Sequence, residues 1–455
     1  MRRKRLVVVL MAFGLVAAAC GRDDETETAG DTATTAADDS TSSSERDADG
    51  DDSEGGLGAG DFGTLTGLCG ESDLVPSDAP GVTDTEINIG VLTDRGAEVR
   101  PGLNEEMYDT VIAFADWCNE NGGIAGRQIK VNDRDAKLFE YNAAIQAACA
   151  EDFMLVGGGA VFDDADNGGR IECGLPSIAG FVVTNSSRDA ELQVQPVPNP
   201  PGAVGIGHLQ AALDAASAPN FGVLVSDIPA PLEVADGSQA AAEDLGATLA
   251  YRASYGVGGE DNWVPFINDM HQASVTILNF VGEPDNLTGL LKAMQQAEWY
   301  PEFFVLETNF YEENLIAEAG DALQNVFVRS VFHPRELASD NPPTQAFLDL
   351  MAGHNPGGKV ATLGQHALSA SLLFAASVNE CTDELTRACV IDAAAVDEWT
   401  GGGTHAPTDP GANQPSSCLV ILEATPDGFV VDEGLTDAND GIFNCDPSNM
   451  AIVES

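Results

Sequence analysis

The chain has 455 residues, 44% of them hydrophobic, with 48 Gly and 23 Pro. That is enough apolar material for two domains of ordinary size, each with its own core. The formal net charge is −53, from 20 Lys+Arg against 73 Asp+Glu, which argues against nucleic acid as a partner because that binding rests on cations neutralising phosphates.

The first twenty residues run from the cationic Arg2, Arg3, Lys4 and Arg5 through an apolar stretch, Leu6 to Val16, to Ala17-Ala18-Ala19-Cys20. Charge, a short apolar run and small residues make a secretory signal, and the run is too short to span a bilayer permanently. Small residues directly before a cysteine resemble a bacterial lipoprotein signal. Residues 1–20 are therefore expected to be a signal peptide, with Cys20 lipidated and holding the chain to the extracytoplasmic face of the membrane. Residues 21–82 hold Asp23-Asp24-Glu25, Asp38-Asp39 and an acidic stretch from Asp47 to Glu54. Low hydrophobicity and like charge predict a disordered acidic tether, reaching roughly 45 Å root-mean-square as a flexible coil.

Beyond the tether, strands and helices alternate. Ile87 to Leu92 reads as a buried strand, and Glu105 to Asn121 as a helix with Met107, Val111, Phe114 and Cys118 on one face. Gly122-Gly123 stops that helix. Strands follow at 129–131, 153–156, 176–179, 221–225, 248–251, 275–280, 303–306 and 326–331. Helices are predicted at 142–152, 202–216, 232–245, 263–272 and 286–297. Strands separated by helices of this length imply parallel sheets covered on both faces. Ligands of such sheets sit beyond the strand C-termini.

Apart from Cys20, eight of the nine cysteines remain. An even number in an exported chain points to disulfides, whose connectivity sequence alone does not choose. Local spacing suggests Cys381–Cys389 and Cys149–Cys173, leaving Cys418 with Cys445 and Cys69 with Cys118. No CxxC spacing points to zinc.

Thr83-Asp84-Thr85-Glu86-Ile87-Asn88-Ile89-Gly90-Val91-Leu92, followed by Asn119-Glu120-Asn121-Gly122-Gly123-Ile124-Ala125-Gly126-Arg127-Gln128-Ile129, resembles the opening of the leucine/isoleucine/valine-binding protein family. These are type I periplasmic substrate-binding proteins of ABC importers. The Asn-Gly-Gly-Ile-x-Gly-Arg segment is the most specific part. The resemblance implies an α/β fold of two Rossmann-like lobes joined by three hinge segments. Lobe 1 would span 83–202 and 332–425, and lobe 2 would span 203–331 and 426–455. The lobes close on a small molecule because the ligand makes contacts in the closed state that the open state lacks.

The family's ligand loops carry over by position. In the first loop, which opens at Thr93, the residues Asp94, Arg95, Glu98 and Arg100 bring both charges where amino-acid binders often have small or apolar residues, and Arg95 is placed to fork onto a carboxylate. Gly158, Gly159, Ala160 and Val161 match a loop that holds a carboxylate through backbone N–H groups, although Ala160 and Val161 replace its usual serines. Phe181 and Thr184 come from the next loop. Asp227 stands in a loop that commonly carries Tyr-Gly. Phe280 and Glu283 sit where an aromatic often covers the ligand. Glu307 and Asn309 match the loop whose acid pairs with a ligand ammonium, and a buried carboxylate there needs a cationic partner. These departures point to a polar or charged small metabolite, an amino acid, an amide or a related solute.

The six histidines form no HExxH or other tight metal spacing, and no GxSxG elbow, dinucleotide fingerprint or phosphate loop appears. The expectation is a binding protein with no metal, cofactor or catalytic set. It would act as a monomer, held at the membrane by its lipid and serving an ABC permease. The alternative is a sensor module that reuses the fold to signal to a membrane partner.

Overall fold

The computed structural model describes residues 55–164 and 167–453. The leader, Cys20 and residues 21–54 lie outside the described residues. Among the described residues no helix is long and apolar enough to cross a membrane.

The first sheet contains β1 (Glu86–Thr93), β2 (Gln128–Asp135), β3 (Met154–Val156), β4 (Ser177–Ile178) and β5 (Gln193–Val194), all parallel, in the order β2-β1-β3-β4-β5. Ile87, Ile89 and Val91 of β1 are fully buried. The helix Glu105–Glu120 packs Met107, Val111 and Phe114 into the same core. The helix Thr362–Glu380 also belongs to this core. It has no Asp, Glu, Lys or Arg before Glu380 and is buried on all sides over most of its length, as a helix apolar all round must be.

After β5 the chain crosses to the second sheet through β6 (Ala203–Gly205). There β7 (Asn220–Ser226), β8 (Thr248–Tyr255), β9 (Ile277–Val281), β10 (Phe303–Leu306) and β11 (Val326–Ser330) are parallel. The antiparallel β12 (Cys418–Thr425) and β13 (Gly428–Val431) complete the order β13-β12-β11-β10-β9-β7-β8. The short β14 (Asn444–Cys445) pairs with β12, and β15 (Met450–Ile452) pairs with β6. The helix expected from Gly202 starts only at Gly207, because 203–205 is held extended against β15.

Two expectations are corrected. Lobe 1 does not extend to residue 425. Strand β12 carries the buried run Leu419 to Leu422 and pairs with β11 from Ser330↔Val420 to Phe327↔Glu423, so 418–425 belongs to the second sheet. The tether does not extend to 82 either. Phe62 is fully buried, Leu68 is buried, and both join the first lobe's core. Trp117 Nε1 donates to the Gly58 carbonyl at 3.3 Å. Gly60 has φ +88°, and a Cβ there would lie 1.9 Å from the Cys69 carbonyl oxygen, so only glycine lets the two segments meet. Disulfides join Cys69–Cys118, Cys149–Cys173, Cys381–Cys389 and Cys418–Cys445.

The Asn-Gly-Gly-Ile-x-Gly-Arg segment forms the turn into β2. Ile124 and Arg127 bridge across it, and Arg127 donates to the carbonyls of Thr83 and Ala125. The motif that carries the resemblance therefore builds the scaffold and lies away from the ligand loops.

Candidate functional site

In each sheet the strand order reverses at one strand, β1 in the first and β7 in the second, and the loops leaving the C-terminal ends face a cleft of about 630 Å³. From the first sheet come Met107, Gly159, Ala160, Val161 and Phe181. The second supplies Phe280, Gly282, Glu283, Glu307 and Asn309, and Leu363 and His366 of the long buried helix add a further wall. Among the contacts that bridge the lobes beside the cleft, Arg100 ion-pairs with Asp285, and the Asn185 N–H donates to Glu233 Oε2 at 3.1 Å.

Of the residues expected at the site, Gly159, Ala160, Val161, Phe181, Phe280, Glu283, Glu307 and Asn309 line this cleft; Thr93, Asp94, Arg95, Gly158, Thr184 and Asp227 do not. Asp94 is fully buried and accepts the N–H groups of Leu138 and Val161, both at 2.7 Å. Burial pushes its carboxyl up, against the pull of those two bonds. Arg95 turns away to Asp133 and lies 4.4 Å over the Tyr108 ring. Thr93 is buried outright, and Asp227 is exposed, its N–H on the Tyr255 carbonyl. Thr184 binds Asp163, whose carboxyl burial raises to about 6. A Cβ on Gly158 would lie 2.4 Å from the Leu92 carbonyl oxygen, so that glycine serves the packing of its loop on β1. The backbone cradle expected at 158–161 is largely spent, since the Gly159 N–H is on Leu92 and that of Val161 on Asp94.

Glu307 has the cation its position demanded, and the chain supplies it: Arg329 Nε donates to Glu307 Oε2 at 2.7 Å. Burial pushes this carboxyl up, but Arg329, then His208 and Arg188, outweigh it and hold the group below its ordinary value. Arg329 was readable in outline, because a guanidinium inside the buried run Val326 to Val331 requires a partner. Arg188, which also lines the cleft, carried no comparable signal.

A periplasmic binding protein family model matches residues 86–428. The chain belongs to this family. No curated protein matches it significantly. Among solved structures, the chain is similar to a fatty acid ABC transporter substrate-binding protein from Thermomonospora curvata, with 15% identity, TM-score 0.67, and coverage of 79% of this chain and 95% of that one. A solute-binding protein from R. palustris in complex with 4-hydroxybenzoate has 14% identity, TM-score 0.64, and coverage of 79% and 97%. A branched-chain amino acid ABC transporter protein from Thermus thermophilus with bound valine has 15% identity, TM-score 0.61, and coverage of 76% and 95%. At these identities the likeness shows the fold, two lobes of parallel α/β structure. Membership places this periplasmic binding protein among receptors that hold a small ligand and make no covalent bond to it.

In this periplasmic binding protein the Glu283 carboxyl is raised to about 7 by burial, with Arg100 opposing and Glu312 and Glu106 adding to the rise. Between its ordinary value near 4.5 and about 7, the folded protein therefore holds more protons than the unfolded chain, so this group's contribution to stability falls as pH rises through that window. Glu283→Gln removes the dependence. Without ligand it should stabilise the protein at pH 8 by about 1–2 kcal/mol, less than the full shift because the side chain is partly exposed, and by nothing at pH 4. Denaturant titrations at the two pH values check this, and equal effects at both would refute it.

Proposed function

We propose that this periplasmic binding protein is an extracytoplasmic receptor, anchored by lipid on Cys20, that captures a small metabolite by lobe closure and delivers it to an ABC permease. The observation that carries the reading is the cleft itself: loops from the C-terminal edges of both sheets wall it, and Arg100 with Asp285 ties one lobe to the other beside it. The ligand class expected from sequence was an amino acid, an amide or a related polar solute. The lining shifts that toward an amphipathic one. Val99, Phe181, Val183, Val197 and Val257 present apolar surface, and Glu307, the acid expected to meet an ammonium, is already paired with Arg329. The fatty acid and 4-hydroxybenzoate named for two similar structures suit that lining better than the valine of the third.

A metabolite screen by thermal shift tests the reading. The true solute at a hundredfold excess over its dissociation constant should stabilise the fold by ~2.7 kcal/mol. Silence across amino acids, amides, fatty acids and aromatic acids would count decisively against a solute receptor. Mass spectrometry of the membrane-fraction protein tests the anchor, and a mature chain with unmodified Cys20 would remove it.

A further inference from the structure

One wall of the cleft presents a cation that, among the described residues, has no ion-pair partner. Arg188 ends the short helix Asn185–Arg188, and its backbone is held on two sides. Its N–H donates to the Thr184 carbonyl at 3.0 Å, and its own carbonyl accepts from Gln195 Nε2 at 2.9 Å and Asn413 Nδ2 at 3.0 Å. The side chain has no such hold. Among the described residues no carboxylate lies within ion-pairing distance of it, and its Nε is buried without a hydrogen-bond partner. Every other described arginine has a partner within the chain.

Three carboxylates face Arg188, and each is engaged elsewhere. Asp163 takes the Val183 N–H at 2.6 Å and the Thr184 hydroxyl, Glu233 takes the Asn185 N–H, and Glu307 takes Arg329. A guanidinium stays charged in proteins, so burying one unpaired costs stability unless something brought into the cleft pairs with it. Burial pulls its pKa down, with Asp163, Glu233 and Glu307 opposing. The backbone cradle at 158–161 offers a carboxylate little, its Gly159 and Val161 N–H groups being already used.

We propose that Arg188 anchors the carboxylate of an amphipathic monocarboxylic acid lacking an α-ammonium, whose apolar body lies along the walls that Phe181, Val183 and Val197 begin. The proposal rests on the cleft being the solute site. The geometry is preorganised, since the backbone of Arg188 is fixed while its donors are free, and a guanidinium offers two parallel N–H groups to one carboxylate.

Titration calorimetry on the full chain with octanoate, octanamide and L-leucine tests it. Octanoate should bind at least about 10-fold tighter than octanamide or leucine, the range of one charge-assisted hydrogen-bonded pair. Arg188→Met should bring octanoate to within about 2-fold of octanamide by weakening octanoate far more than octanamide, while Arg188→Lys keeps part of the preference. Without ligand, Arg188→Met should melt no lower than the unaltered protein, whereas loss of a merely structural arginine would lower the midpoint. Should Arg188→Met not fold, the proposal falls on that ground. Octanoate and octanamide binding alike, neither binding, or an acid preference that survives Arg188→Met would each overturn it. Solutes released from natively purified protein separate the two levels. A bound amine or neutral solute removes the role of Arg188 and leaves the receptor reading. An empty cleft together with no stabilisation in the metabolite screen removes both.

Discussion

Lys359→Met should destabilise the protein by about 3–5 kcal/mol at neutral pH, the range for removing one partner of a buried ion cluster. Lys359 Nζ lies 3.0 Å from Glu106 Oε2 and also ion-pairs with Glu312, and both glutamates are only 4% exposed. Glu106 comes from the helix Glu105–Glu120 in the first lobe, while Glu312 follows β10 of the second and bridges to Ala361. Burial already pushes the Glu106 carboxyl up, with Lys359 opposing and Glu312 adding. Without the lysine both acids face each other unpaired, and the folded-state value of Glu106 rises further above the ordinary carboxylate range. A group whose folded value is raised favours the fold while protonated and loses that contribution as pH rises. The deficit of Lys359→Met should therefore be small near pH 4 and complete by pH 8. Urea titrations across that range check it. A deficit under 1 kcal/mol, or one independent of pH, would show that the cluster does not hold these lobes together.

The strands that build the cleft were legible because burial on both faces of a parallel sheet leaves continuous apolar runs. Ile87 to Leu92 was read for an observed Glu86–Thr93, and Phe303 to Leu306 matches the observed strand. Residues 55–82 were not legible, because Leu57, Phe62, Leu65, Leu68, Cys69, Leu74, Val75 and Val82 are scattered among glycines, acids and small polar residues without a helix or strand period. Apolar side chains so scattered cannot make a core of their own. Phe62, Leu68 and Cys69 bury only because Trp117 and Cys118 of a distant helix meet them, a pairing that local periodicity does not contain.

The site was half legible, and the failures share a cause. Sequence position says which loops leave the strand C-termini, and those loops do reach the cleft. It does not say which partner a polar group has already taken. Asp94 was expected to meet ligand and instead holds the loop carrying Val161. Glu307 was expected to need an external cation and finds Arg329 on the neighbouring strand. Arg188, in an unremarkable Ser-Ser-Arg, keeps a free guanidinium because its neighbours' carboxylates are used elsewhere. Function in such a cleft depends on what internal pairing leaves over, which is a property of the folded contacts.

Removing the Cys69–Cys118 bridge by double substitution to serine should cost about 4 kcal/mol, from the loop entropy that a 49-residue separation denies the unfolded chain. The same relation gives about 2.5 kcal/mol for the separation of 8 at Cys381–Cys389. Placing both pairs in one protein makes the comparison internal: the longer loop should lose more by over 1 kcal/mol. The two losses should also differ in kind. Cys381 and Cys389 lie in or beside helices that pack on the first sheet without them. The stretch around Cys69 holds on through Phe62, Leu68, the Trp117–Gly58 bond, the bonds of Asn379 to the Gly67 and Leu68 carbonyls and a few backbone contacts, fewer ties than the strands of the sheet have, so it is expected to open below the free energy of the whole fold. Hydrogen exchange should therefore accelerate most across 55–75 in Cys69→Ser/Cys118→Ser, and less in β1 and β3. Uniform acceleration through the first sheet would mean that this segment is integral to the core, and unchanged exchange would mean that buried apolar contacts alone secure it.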